Sequence, residues 1–311
     1  LDLARPILTE FAKHPEHTAK HTIADLVPSE FHTIFQQYPY DAEIRVQRAD
    51  IAIESFLTGP MSAIEDDAFF GVVEGLDTIT SRIATEANAA GVDLRSRYRV
   101  DDITQLPNAL FEIQGMYGKK ATEKPFTLYA NTVIIATCRC SLGSFSILKT
   151  APLLKQLATS PLLRIYAKFP VSRDGTIWFT SIPKTVVPSP LRYIIPIDPK
   201  SGLIMISYTD GHDTTFWNVL EDTKLENAIM KEVHTLWPDL DIPNPTYIQK
   251  HYWGGGCTYW LPGLYDVYEA SMKAMNPKPN LYIVGESISP GNQAWIEGAL
   301  ETAETLLKTF F

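Results

Sequence analysis

The spacing of apolar residues changes several times along this 311-residue chain, and each change marks a different kind of element. Over residues 1–38, Leu8, Phe11 and Ala12, then Phe31, Ile34 and Phe35, recur at three- and four-residue intervals. That period predicts largely helical structure, with Pro28-Ser29-Glu30 as a helix start between the two sets. From residue 71 the pattern shifts. Gly71-Val72-Val73-Glu74-Gly75 leads into a predicted helix over 76–89, whose Leu76, Ile79, Ile83 and Ala84 form an apolar stripe. Gly91 supplies its stop. Residues 93–100 alternate as a strand does, 110–113 is a brief apolar run after Pro107-Asn108, and 126–129 reads as a further strand. Val133-Ile134-Ile135-Ala136-Thr137 is an apolar run of the kind expected in a strand buried on both faces.

Between residues 161 and 208 four short β-prone runs, 162–169, 177–179, 191–197 and 203–208, are separated by Pro, Gly and Asp, and together predict an antiparallel sheet. Residues 223–236 form an amphipathic helix stopped at Trp237-Pro238, and 246–253 is another strand. The last block is the most informative. Leu281-Tyr282-Ile283-Val284 is a buried-strand pattern followed by Gly285-Glu286-Ser287, then a loop with Pro290-Gly291-Asn292. A helix over 295–307 follows, built on the small residues Gly298, Ala299 and Ala303, which permit close approach to a sheet or ligand.

Composition narrows the function classes. The chain is 45% hydrophobic and 20% charged, ordinary for a globular protein, and no run of apolar residues is long enough to span a bilayer. A net charge of −9 argues against nucleic acid as the main partner and mildly favours a cationic one. Cys138, Cys140 and Cys257 make neither a disulfide framework nor a zinc site, so a reducing compartment, cytoplasmic or otherwise intracellular, is expected. His14, His17 and His21 fall on one helical face, but no carboxylate cluster joins them, and a solvated face accounts for them better than a metal site.

Three segments, in order, resemble the flavin-containing amine oxidase family, whose members include the monoamine and polyamine oxidases. The first runs from Val72-x-x-Gly75-Leu76 through Val100-x-x-Ile103. In the family a glycine-led helix precedes a strand whose valine binds the adenine of FAD through its backbone, and the resemblance gives Val100 that role. The second, Val133 to Thr137, is similar to the strand that leaves the FAD domain for the substrate domain. The third, Leu281-Tyr282-Ile283-Val284-Gly285-Glu286 with Trp295-Ile296-Glu297-Gly298-Ala299, resembles the family's closing motif. It implies that Gly285 and Glu286 lie at the flavin, with Glu286 accepting hydrogen bonds from ribityl or ribose hydroxyls. A helix N-terminus offers free N–H groups and positive potential. The N–H of Ile296, beside Trp295, is then the group that stabilises negative charge at the N1–C2=O edge of reduced flavin.

The stretch from His251 to Gly263, dense in aromatics and glycines, resembles the family segment that faces the flavin from the substrate side. There two aromatic rings flank the amine. Tyr259 (or Trp260) and Trp295 are the rings this implies, since ring faces attract a cation; core packing is the alternative. Cys257 stands where monoamine oxidases carry the cysteine they link covalently to flavin, with a buried free thiol as the alternative.

Two departures qualify the likeness, which covers the chain from about residue 60 and is weak over 1–57. The family opens with a βαβ unit carrying G-x-G-x-x-G, which brings the FAD pyrophosphate to a helix N-terminus. Nothing here matches it; Gly254-Gly255-Gly256 follows a predicted strand with no helix signal behind it. With no initiator Met, the chain reads as a fragment, or as a product that has lost its phosphate site. The second departure is Arg164, in Leu162-Leu163-Arg164-Ile165-Tyr166-Ala167-Lys168, which takes the place of the family's active-site lysine; Lys168 is the alternative. Arginine stays protonated and cannot act as a neutral base, but it can hold a carboxylate in a bidentate pair. That would move the substrate toward an amino acid.

The expected fold is α/β: an incomplete Rossmann-like FAD-binding domain (58–150 and 276–311) interrupted by an α+β substrate domain (1–57 and 151–275) with a mainly antiparallel sheet. The expected activity is FAD-dependent oxidation of a small cationic amine (polyamine, monoamine or amino acid) by hydride transfer to flavin N5, with release of hydrogen peroxide. A missing N-terminal segment would complete the FAD site. The alternative is a catalytically degenerate scaffold or binding component.

Overall fold

Three sheets carry the described residues of the computed structural model, which are 4–29, 35, 40–58 and 72–311. The first is an antiparallel meander, β1 (Tyr98–Gln105), β2 (Phe111–Tyr117) and β3 (Lys124–Ala130). The second pairs β4 (Val133–Ala136) in parallel with β10 (Leu281–Val284), in the register Leu281↔Val133 to Val284↔Ala136. Parallel neighbours need a crossover, and here the intervening chain builds the third sheet. That sheet contains β5 (Leu157–Lys168), β6 (Thr185–Val186), β7 (Tyr193–Asp198), β8 (Leu203–Asp210) and β9 (Tyr247–Trp260). Its order is β6-β7-β8-β5-β9, antiparallel throughout.

Strand alternation sorts the third sheet into two faces. Leu163, Ile165 and Ala167 of β5 are fully buried, together with Ile194, Ile204 and Ile206. They pack against Leu225, Ile229 and Val233 of helix Asp222–Leu236, whose four-residue spacing makes one stripe. Each such side chain contributes about 1.5–3 kcal/mol on burial, which is what holds that helix to the sheet. The opposite face of β5 presents Leu162, Arg164 and Tyr166, the side on which the chemistry gathers. A second core joins the meander to the parallel pair through Ile103, Phe111, Val133 and Ile135, with all four residues of β10, Trp260, and Ala270, Ala274 and Met275 of helix Val267–Met275. A third gathers the N-terminal helices around Leu8, Ile23, Ile44, Ile53 and Phe56.

Several expectations change. The continuous helical pattern at the N-terminus resolves into short helices, Arg5–Phe11, Pro15–Thr18 and Ile23–Leu26, with Phe35 buried; Glu30, Phe31, Ile34 and Gly71 lie outside the described residues. Residues 177–179 form a turn, closed by the Thr180 hydroxyl on the Ile177 carbonyl at 2.8 Å, while Ile177 and Phe179 remain in the core. Their β propensity reflected burial rather than pairing. The strand expected over 93–100 is broken at Arg97, whose φ of 64° turns the chain, so that β1 starts at Tyr98. Rather than stopping short of Gly254-Gly255-Gly256, β9 runs through it. Added Cβ atoms at Gly255 and Gly256 would run into the Cys140 Sγ and the Leu162 Cβ, so these glycines serve close packing.

Two further differences concern apolar residues left exposed. Val133 and Ile135 are buried, but Ile134 is 48% exposed, so β4 is covered on a single face. Helix Asp77–Ala89 buries none of its residues, and its stripe leaves Leu76 and Ile83 at 66% and 59% exposure. Both faces have the composition of contact surfaces.

Candidate active site

The site is built where the C-terminal half of β9 meets the turn after β10. Gly285 adopts φ 132°, a conformation L side chains rarely take, and its N–H donates to Thr302 Oγ1 at 2.9 Å. This swings Glu286 back toward β9. Glu286 Oε1 accepts the Thr258 hydroxyl at 3.0 Å and the Ser287 hydroxyl at 2.8 Å, while Oε2 accepts the Ala294 N–H at 2.9 Å. Ala294 has φ 67°, a left-handed residue held by that bond immediately before Trp295 opens helix Ile296–Phe310. Further bonds tie the loop to β9. The Trp260 N–H donates to Gln293 Oε1 at 2.7 Å, and the Trp260 indole donates to the Ser289 carbonyl at 2.8 Å. Gly298 lies so close to Asn292 that a Cβ would strike its carbonyl oxygen.

The helix produced by this turn has no side-chain cap; Ile296 is 74% exposed and Trp295 38%. Open N-terminal amides beside a half-exposed ring and a strand-end carboxylate suit an anionic, aromatic ring system. They therefore fit the isoalloxazine end of a flavin. Val100 lies at a bulge of β1, the edge strand of the meander, paired inward with Gly115, and its strand joins the shared core through Ile103. Among the described residues no hydrogen bond links it to Glu286 or Ile296.

The sheet face across from the turn is polar and aromatic. Arg164 lies beside Tyr208 and His251 in register, and its guanidinium stacks 5.1 Å over the Tyr208 ring. Burial works against its charge, and the phenols of Tyr208 and Tyr166 more than offset that. Its Nε is buried without a partner among the described residues. Tyr208 stacks on Tyr193 at 6.0 Å, and Tyr40 meets both edge-on at 6.3 Å.

Beneath these rings lie two carboxyls. Glu43 accepts the Tyr259 hydroxyl at 3.0 Å through Oε1, and its Oε2 is buried without a partner among the described residues. Burial and the neighbouring Asp210 push it up to about 8. Asp210 accepts the N–H groups of Asp41 and Ala42 at 2.8 and 3.0 Å, and burial pushes it up to about 7.

Tyr259 requires a correction. Its ring is only 1% exposed, packed with Ala42 and Cys257 and touched by Ala294, and its hydroxyl is spent on Glu43. It is a core ring behind the site rather than an open wall facing Trp295, and Trp260, fully buried, is core as well. Cys257 is buried in the same cluster, where burial pushes its thiol up to about 12, away from the thiolate a covalent bond would use. Sequence reasoning missed Tyr40, Glu43, Tyr208 and Asp210. Glu43 reads as one more acid on a polar helix, and only the contact with Tyr259, 216 residues away, reveals it. The histidines noted at the N-terminus show a ring contact of 4.7 Å between His17 and His21, and no group of three metal-ligating side chains exists among the described residues.

A parallel strand pair closed by a late strand, a carboxylate-anchored turn into a helix, and a large antiparallel sheet inserted between them define a flavoprotein oxidoreductase fold. The chain belongs to the flavin containing amine oxidoreductase family, whose model it matches over residues 27–305. It is similar in structure to cyclohexylamine oxidase from Brevibacterium oxydans IH-35A, with a TM-score of 0.64 and 18% identity over 98% of this chain and 74% of that one. At that identity the likeness establishes the fold. In sequence it is similar to Aplysianin-A from Aplysia kurodai, 28% identical in an alignment of 134 residues that covers 35% of this chain. The match spans about a quarter of that protein, 24% of its length. No helix among the described residues is long and apolar enough to cross a membrane.

Proposed function

We propose that the chain oxidises a small cationic amine with FAD as the hydride acceptor and hydrogen peroxide as the second product. The observation that carries this reading is the turn anchored by Glu286, which delivers the uncapped start of helix Ile296–Phe310 next to the half-exposed Trp295. Bound FAD supplies the electron sink; the chain's own residues bind, orient and desolvate. The open amide of Ile296 faces where charge would collect, and Glu286 Oε2 retains a lone pair for a ribityl hydroxyl. Arg164 supports a substrate that carries a carboxylate, because its half-buried guanidinium lies on the aromatic sheet face over Tyr208 and stays charged. An amino acid is then favoured over a simple amine.

The pyrophosphate end of FAD has no glycine-rich strand-turn-helix among the described residues. We assign that part to a further segment carrying a βαβ unit. The bare outer face of β4 at Ile134 and the uncovered helix Asp77–Ala89 support that assignment. The test, on the protein together with that segment, is peroxide release from a panel of paired substrates, each amine against its α-carboxylate analogue, with the Arg164→Met variant alongside. The reading expects oxidation by the wild type and a selective loss on the carboxylate-bearing members in the variant. Equal loss on both members would reject the anchor, and a folded protein that takes up no flavin would favour the degenerate scaffold.

A further inference from the structure

The geometry points to helix Asp41–Arg45, with Tyr40 at its entrance, as a pH-released clasp over the Arg164–Tyr208 face of the sheet, locked by the buried carboxyls Glu43 and Asp210. The inference does not depend on flavin. The five-residue helix is too short to stand alone. Its first-turn amides, those of Asp41 and Ala42, are held by the Asp210 side chain at the end of β8. In return the Asp41 carboxylate accepts the His212 N–H at 3.1 Å, just past that strand. Glu43, one residue further on, reaches through the junction to the Tyr259 hydroxyl of β9. Tyr40 closes the arrangement by resting edge-on against Tyr193 and Tyr208.

The lock holds while its acids keep a proton. Glu43 and Asp210 are 5% and 3% exposed, and neither forms an ion pair among the described residues. The charged and titratable groups around them are engaged elsewhere. On the helix itself Arg45 pairs with Asp41 at 2.6 Å. In the turn after β8, Asp213 pairs with Arg192 at 2.8 Å. From β5, Arg164 lies over the ring of Tyr208 on β8. From β9 come Tyr259 and the thiol of Cys257, which burial first, then Glu43, Asp210 and Glu286 push upward. A second negative charge at Glu43 Oε2 therefore meets no cation and no donor among the described residues. Both acids are raised by burial, so the penalty develops as pH climbs from the ordinary carboxylate range through their native values. The cheapest relief is to separate the helix from β8, which exposes the two acids to water and uncovers the tyrosine rings beside Arg164.

The test is amide hydrogen exchange on the whole chain, followed at the Asp41 and Ala42 amides and corrected for the base-catalysed intrinsic rate. Between about pH 6 and pH 9 the protection of these amides should fall about tenfold or more, while that of helix Asp222–Leu236, on the other sheet face, stays constant. In Glu43→Gln, where position 43 cannot ionise and only Asp210 still titrates, the fall over the same range should be clearly smaller. Wild-type protection that does not change with pH overturns the clasp whether or not the variant folds. So does a fall shared equally by helix Asp222–Leu236, or an undiminished fall in Glu43→Gln.

Discussion

Replacing Glu286 by Ala removes the acceptor of three donors at once: the Thr258 hydroxyl at 3.0 Å, the Ser287 hydroxyl at 2.8 Å and the Ala294 N–H at 2.9 Å. Hydrogen bonds to a charged acceptor contribute about 1.5–3 kcal/mol each, but these three do not simply add. The two hydroxyls are 3.1 Å apart and can satisfy one another. The loss therefore falls on the Ala294 amide, and on the left-handed backbone at that residue, which costs roughly 1–3 kcal/mol to maintain. We expect Glu286→Ala to destabilise the protein by about 2–4 kcal/mol, with a melting temperature lower by about 3–6 °C in differential scanning calorimetry. Glu286→Gln behaves differently. Its amide nitrogen can donate to the hydroxyls while its oxygen keeps the Ala294 N–H, so its cost should stay below about 1 kcal/mol. An alanine variant as stable as wild type, or a glutamine variant as damaged as the alanine one, would refute the view that this carboxylate builds the turn.

Gly298→Ala should destabilise by about 1–3 kcal/mol through overpacking, because the new methyl meets the fixed Asn292 carbonyl; chemical denaturation midpoints check it. Glu43 and Asp210 retain protons that the unfolded chain gives up, so stability should fall as pH rises from their ordinary range near 4 toward about 8; urea midpoints across that window should be flatter in Glu43→Gln. At mildly alkaline pH iodoacetamide should label the exposed Cys138, whose thiol the Ser141 hydroxyl and nearby amides lower against the effect of burial, well before Cys257; mass spectrometry of timed samples reads the order.

The strand-turn-helix around Glu286 was legible in the sequence because each of its parts has a local signal. Four apolar residues gave β10, Gly285 gave the unusual φ, and the small residues of the last helix announced the close approach to Asn292. Helix Asp222–Leu236 was equally plain, since its stripe and its stop at Trp237-Pro238 are both local. What stayed hidden depends on partners distant in sequence. Tyr259 carries the same aromatic signal whether it walls a pocket or fills a core, and its fate is settled by Glu43. The carboxyls of Glu43 and Asp210 look solvated until β8 and the helix Asp41–Arg45 close on each other. Residues 177–179 looked like a strand because burial and pairing select the same residue types. Conversely, the stripe of helix Asp77–Ala89 promised a buried face that the described residues do not cover.

The account rests on the turn at Glu286 and the opening of helix Ile296–Phe310 receiving a flavin. Titration with FAD of the protein together with the segment that carries its βαβ unit, followed by quenching of flavin fluorescence, tests this most directly. Saturable binding that weakens in Glu286→Gln at unchanged melting temperature is the result predicted, since that variant keeps the turn and loses only the charge. Binding equal in wild type and Glu286→Gln, or no uptake of FAD by the folded wild-type protein, would contradict it.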